Sequence, residues 1–300
     1  VPTTRRRLLA RAGAALVWAA TAALGGGALV EAGVLPGRSV LDRTLGRCDA
    51  PEPPARLRGT PQAPVTGRFR SAARRREVGW SLSYPPGYAP GARLPVCLAL
   101  HGYASDAAAA LGNGDYPAFL AGAVRDGIPP FVLAAVDGGD GYWHPHADDD
   151  PLGMLTADFL PLLGSMGLRT DRVAVAGWSM GGYGALLCGL THPGRFRLVV
   201  ATSPAIFHSY DDAREVNPGA YDSAAEWARY DVSARADELA KLPLRIAIGA
   251  ADPFAPALRS LRDRLPDPAV VAVSTGCHDG RFWESVAPVQ VRAISAALAD

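Results

Sequence analysis

Val173-Ala174-Val175-Ala176-Gly177-Trp178-Ser179-Met180-Gly181-Gly182-Tyr183-Gly184 is the stretch on which the fold turns. A short apolar run ends at Ala176 and a helix rich in small residues opens near Gly182, so Ser179 sits between strand and helix. Glycines on both sides of the serine remove the Cβ clashes that so sharp a turn creates. Ser179 Oγ then projects beyond the strand end, and the Met180 amide at the helix start faces the space before it. A purely structural glycine-rich turn is the competing reading, which the strand before and the helix after Ser179 oppose.

Working outward, five further apolar runs of similar length occupy residues 96–100, 131–136, 198–201, 244–248 and 270–273. Their lengths and lack of polar alternation fit strands covered on both faces. Helical patterns fall at 118–125, 152–163, 182–191, 255–264 and 286–298, and an alternating segment at 78–84 predicts a first hairpin. The expectation is an α/β fold: a mostly parallel central sheet with helices on both faces. In such sheets ligands sit beyond the carboxyl ends of the strands, so the residues just after each run carry the chemistry.

A serine is a weak nucleophile without a base, and the base needs an orienting acid. After the run at 244–248 comes Gly249-Ala250-Ala251-Asp252-Pro253-Phe254, and after 270–273 comes Ser274-Thr275-Gly276-Cys277-His278-Asp279. Topology therefore brings Asp252 and His278 to the sheet edge that holds Ser179, in the order Ser, acid, His. A plain turn before Pro253 is the alternative for Asp252, and Asp237 and Glu284 are outside candidates for the acid. Asp279 is disfavoured because adjacent side chains diverge. His192 fits a helix cap and His208 lies in an insertion. The first central run ends at Leu100-His101-Gly102-Tyr103, where the Tyr103 amide is the candidate second oxyanion donor beside that of Met180. His101 is expected to orient this loop.

The segment Gly138-Gly139-Asp140-Gly141-Tyr142-Trp143-His144-Pro145-His146-Ala147-Asp148-Asp149 also follows a strand. Tyr142, Trp143 and His144 are expected to wall a substrate pocket, together with His101 and Trp227. A metal built from His144, His146 and the aspartates is the competing reading, set aside because the spacing matches no metal motif and serine chemistry needs no metal or other cofactor. The insertion at 205–240 brings Phe207, Tyr210, Tyr221, Trp227 and Tyr230 above the same edge, either as a cap over the site or as its own small core.

His101-Gly102, Gly177-Trp178-Ser179-Met180-Gly181-Gly182, Gly249-Ala250-Ala251-Asp252-Pro253-Phe254 and Cys277-His278-Asp279-Gly280-Arg281-Phe282-Trp283 together resemble the esterase D type of α/β-hydrolase. That group includes feruloyl and acetyl-xylan esterases, S-formylglutathione hydrolases and the antigen 85 mycolyltransferases. The resemblance spans about residues 75–298 and implies the α/β-hydrolase fold, with a serine esterase acting through Ser179, Asp252 and His278. Antigen 85 proteins use glutamate where this chain has Asp252, which weighs against an acyltransferase delivering to a sugar or glycerol hydroxyl. A non-catalytic binding module on the same fold is the other alternative, and the complete set of three residues opposes it.

The 300 residues are 49% hydrophobic and 20% charged, which suits one large buried core and excludes disordered, collagen-like and small disulfide-scaffold classes. The formal net charge of +1 divides unevenly. Arg5, Arg6, Arg7 and Arg11 against Glu31 leave a net +3 on residues 1–36 and −2 on the remainder. So near-neutral a body excludes a nucleic-acid partner. The arginines precede an uncharged stretch at 12–30, long enough to span a bilayer. They resemble a twin-arginine export signal, so residues 1–36 are expected to be an export signal or membrane anchor, giving an extracytoplasmic location and association with a membrane through this segment. Residues 37–67 are read as a Pro-rich linker and 68–300 as the α/β domain. Of the four cysteines, Cys48 and Cys277 are the most accessible pair for a disulfide, and Cys97 and Cys188 fall inside a strand and a helix.

Overall fold

The computed structural model describes residues 38–299. Two compact units divide the chain, residues 1–49 and 50–300. In the first, the described residues form a helix at Arg38–Thr44, after which Arg47 folds back to pair with the buried Asp42 carboxylate at 3.0 Å. The export or anchor segment expected over residues 1–36 lies outside the described residues. Among the described residues, no helix is long and apolar enough to cross a membrane.

The second unit is built on one sheet of eight strands: β1 (Val65–Ser71), β2 (Arg76–Ser83), β3 (Pro95–Leu100), β4 (Val132–Val136), β5 (Arg169–Trp178), β6 (Leu198–Thr202), β7 (Leu244–Gly249) and β8 (Val271–Ser274). Their spatial order is β1-β2-β4-β3-β5-β6-β7-β8. Among the described residues only β2 runs against the rest, pairing antiparallel with β1 and β4, while the other neighbours are parallel. The chain leaves β3 toward β4 on one side and leaves β5 toward β6 on the other, so the order reverses between β3 and β5. A crevice opens at such a switch point, beyond the strands' carboxyl ends.

Period-two alternation sends the strands' side chains into two separate cores. Val96, Leu98 and Leu100 of β3 and Val173 and Val175 of β5 join Leu186 and Leu190 of the helix Met180–Thr191 on one face. Cys97, Ala99, Ala174 and Ala176 face the other way. These small side chains leave room for Tyr116, Phe119 and Leu120 of the helix Tyr116–Arg125. Ala287, Val291, Ile294 and Leu298 complete that core from one stripe of the C-terminal helix Gly280–Leu298, the i, i+4, i+7 spacing of an amphipathic face. Burying each large member of this stripe contributes about 1.5–3 kcal/mol.

Several boundaries differ from the pattern-based reading. The C-terminal helix starts at Gly280, six residues before the expected 286, because Asp279 caps it by accepting the Phe282 N–H at 3.0 Å. The aromatic-rich first turn hides the helical period there. The helix expected at 152–163 is three joined pieces, Pro151–Gly153, a π-helical Met154–Phe159 and Leu160–Ser165. Within the Pro-rich stretch, Gly59 N–H donates to Ala118 O at 2.8 Å and Arg58 pairs with Asp115 and Glu284, while β1 begins at Val65. Cys97 and Cys188 are free and fully buried; burial pushes the Cys188 thiol up to about 12, so it stays protonated and acts as a small apolar side chain.

Candidate active site

β5 ends at Trp178, and the next residue turns the chain through φ +57°, ψ −121° before the helix Met180–Thr191 begins. That conformation is strained for a residue with a side chain and persists only where neighbours over-determine it. Here Ser179 N–H donates to Thr202 O at 3.1 Å, while Ser179 O accepts from Tyr183 at 3.1 Å and from Ala205 at 3.0 Å. Two glycines make the turn possible by close approach. A Cβ on Gly177 would lie 2.1 Å from Gly181 O, and one on Gly181 would lie 2.0 Å from Leu100 O.

His278 and Asp252 converge on this serine from the loops after β8 and β7. The Ser179 hydroxyl lies 2.9 Å from His278 Nε2, and His278 Nδ1 lies 2.8 Å from Asp252 Oδ2. Asp252 is buried, and its second oxygen accepts the Phe254 N–H at 2.9 Å, so the carboxylate has one fixed orientation. Phe254 and Trp283 meet the imidazole edge-on, with centroids at 5.1 and 5.6 Å. Both rings pack against His278, and residue types and spacing alone give neither of them a role. The other acids are engaged elsewhere: Asp279 caps a helix, Glu284 pairs with Arg58 at 2.6 Å, and Asp237 is exposed in the short helix Ala236–Leu239.

Opposite Ser179 stands the loop after β3. A Cβ on Gly102 would lie 3.5 Å from Ser179 Cβ and 4.0 Å from its Oγ, so the peptide joining Gly102 to Tyr103 borders the serine. Met180 opens the helix, and its N–H belongs to the first-turn amides without an intrahelical acceptor. His101 fixes the loop from below: Nδ1 contacts Gly102 O at 2.7 Å and Nε2 accepts the Gly138 N–H at 2.8 Å. The second contact makes Nε2 the acceptor and Nδ1 the protonated nitrogen. Asp137, to which the sequence gives no role, and Asp140, one of the aspartates weighed as metal ligands, accept the amides of Ala107 and Ala104 at 2.8 and 2.7 Å and hold the same loop. Their position directly after β4 was the available signal.

The expected pocket walls are placed differently. His101, Tyr142, Trp143 and His144 are at most 1% exposed, so they present no open wall. They are packing beneath the site. Trp143 donates to His101 O at 3.2 Å, and Tyr142 packs against Tyr183, Phe207 and Tyr221. The insertion buries two of these rings, with Phe207 and Tyr221 against Tyr142 and Tyr221 against His144, while Trp143 lies against His101 and the glycines Gly138 and Gly184. Phe207 also meets Phe254, linking the insertion to the ring beside His278. Trp227 is half-buried against the same core.

A family model described as "Putative esterase" matches residues 71–262, more than half of the chain. No curated protein matches the sequence. Among solved structures, a ferulic acid esterase shares 18% identity over 79% of this chain and 98% of its own, with a TM-score of 0.66. An S-formylglutathione hydrolase from Agrobacterium tumefaciens shares 16% over 80% and 99%, with a TM-score of 0.62. A ferulic acid esterase from Anaeromyces mucronatus, solved with ferulic acid, shares 16% over 83% and 98%, with a TM-score of 0.63. These three likenesses establish the α/β-hydrolase fold, and by its matched residues the chain belongs to that esterase family and is a carboxylic ester hydrolase.

Proposed function

We propose that the protein is an exported serine esterase that works through an acyl-enzyme on Ser179. The observation that carries this reading is the continuous hydrogen-bonded chain from Ser179 Oγ through His278 to Asp252 at 2.9 and 2.8 Å. His278 Nε2 takes the hydroxyl proton as Oγ attacks the ester carbonyl, and returns it to the departing alkoxide. Asp252 keeps the imidazole proton on Nδ1 and stabilises the imidazolium that forms. The amides of Met180 and Tyr103 receive the developing oxyanion. Water, activated by the same imidazole, then releases the acid. Export rests on the paired arginines and the uncharged stretch at 12–30.

The test is Ser179→Ala on a p-nitrophenyl ester of a short acid. Removing the nucleophile should lower kcat by roughly 10³- to 10⁶-fold and abolish labelling by a fluorophosphonate probe. Retention of more than about a tenth of the activity would sink the assignment.

A further inference from the structure

We propose that His144, His146 and Glu226 form a binding site for a zinc-type divalent cation that pins the insertion to the loop after β4. One nitrogen of each ring and one Glu226 carboxylate oxygen lie within 4.8 Å of one another. The two histidines come from the loop after β4. Glu226 comes from the insertion helix Ala224–Tyr230, some eighty residues later. The aspartates that sequence offers as partners are used otherwise: Asp149 and Asp148 pair with Arg74 and Arg75, and Asp150 caps the next helix.

His144 supplies a second, independent indication. Its side chain has no exposure, yet both ring nitrogens face acceptors, Nε2 toward Ala220 O at 2.6 Å and Nδ1 toward Pro145 O at 3.0 Å and Glu226 Oε1 at 4.0 Å. A neutral imidazole has a single N–H. The shorter contact claims it for Nε2, which leaves the Nδ1 lone pair buried and aimed at a carboxylate. A cation between the two relieves that opposition. His146 is prepared in the same way, with Nε2 against Gly141 O at 2.8 Å and Nδ1 left as the basic nitrogen. Backbone carbonyls holding the remote N–H of each ring are the support that ligating histidines ordinarily have. Glu226 Oε2 accepts the Asp222 N–H at 2.5 Å, freeing Oε1 for the ion.

Tyr221 and Tyr230 stack on the His144 ring at 4.8 and 4.5 Å and fix its plane. Two imidazoles and one carboxylate, with a position left for water, suit zinc and disfavour calcium or magnesium, which require oxygen donors. Ligands at zinc distances sit about 3.3 Å apart, so the donors, which lie within 4.8 Å of one another, must close by up to about 1.5 Å, a movement the partly exposed Glu226 and His146 allow.

The test uses the full chain with ZnCl₂ as the probe, in calorimetry at neutral pH, and CoCl₂ as the spectroscopic reporter. One equivalent per chain is expected, with Co²⁺ absorption of tetrahedral or five-coordinate intensity and a melting temperature that rises with zinc concentration. Glu226→Gln and His146→Gln should each weaken zinc by at least the roughly 10- to 100-fold that loss of a mere outer-sphere partner costs, while His208→Ala binds as the unaltered chain does. Far-ultraviolet dichroism checks that the variants are folded. No stoichiometric uptake at about 100 μM zinc would overturn the site, as would equal binding by both Gln variants; an imidazolium at His144 paired with Glu226 gives the first of these results.

Discussion

Asp252 shows how much a single buried oxygen decides. Its Oδ2 faces His278 Nδ1 at 2.8 Å while Oδ1 is held by the Phe254 amide, so no rotation of the carboxylate is free. In Asp252→Asn the Phe254 N–H claims the amide oxygen, which turns the NH₂ group toward Nδ1. The imidazole then carries its proton on Nε2, facing the serine that the proposed mechanism has it deprotonate. The expected result is a fall in kcat of about 10⁴-fold in a folded protein, measured on a p-nitrophenyl ester. A fall of less than about tenfold would remove Asp252 from the orienting role. At this scale the sequence was readable because Ser179, Asp252 and His278 each fall within five residues of the end of an apolar run. Glu226 was not readable, since its neighbours depend on how the insertion packs rather than on any spacing in the chain.

The element that positions Ser179 is the helix Met180–Thr191, and its closeness to β3 is set at Gly181. A methyl group there would stand 2.0 Å from Leu100 O, a backbone atom that cannot rotate away. Gly181→Ala must therefore push the helix off β3 and widen the gap between Ser179 and the loop at Gly102. Stability should drop by about 1–3 kcal/mol in urea unfolding, and a displacement near 1 Å should cost about 10²-fold in kcat/KM. Unchanged values for both would show that the elbow does not depend on this contact. Strands and helices were legible because apolar runs bury on two faces and helices on one stripe. The start of the C-terminal helix was not, because Phe282 and Trp283 occupy its first turn for the sake of Ala50 and His278 rather than the helical period.

For the whole molecule, local pattern named the strands but could not order them. The placement of β4 beyond β3, which opens the crevice at Ser179, depends on crossovers that no run of residues encodes. One consequence of that order concerns pH. His101, at the end of β3, is fully buried and accepts the Gly138 N–H from the chain leaving β4, so protonating Nε2 would set two N–H groups against each other. Burial accordingly holds its pKa below the ordinary histidine value of 6.5. As pH falls through about 6.5 the unfolded chain takes up a proton that the folded chain refuses, so stability declines from there down to the lower folded pKa. The slope from this one group is at most about 1.4 kcal/mol per pH unit. Urea midpoints measured from pH 7.5 to 5 should show that decline, and His101→Gln, though less stable at pH 7.5, should show a shallower one. An unchanged slope in the variant would transfer the effect to His144 and His192, whose pKa values burial also lowers.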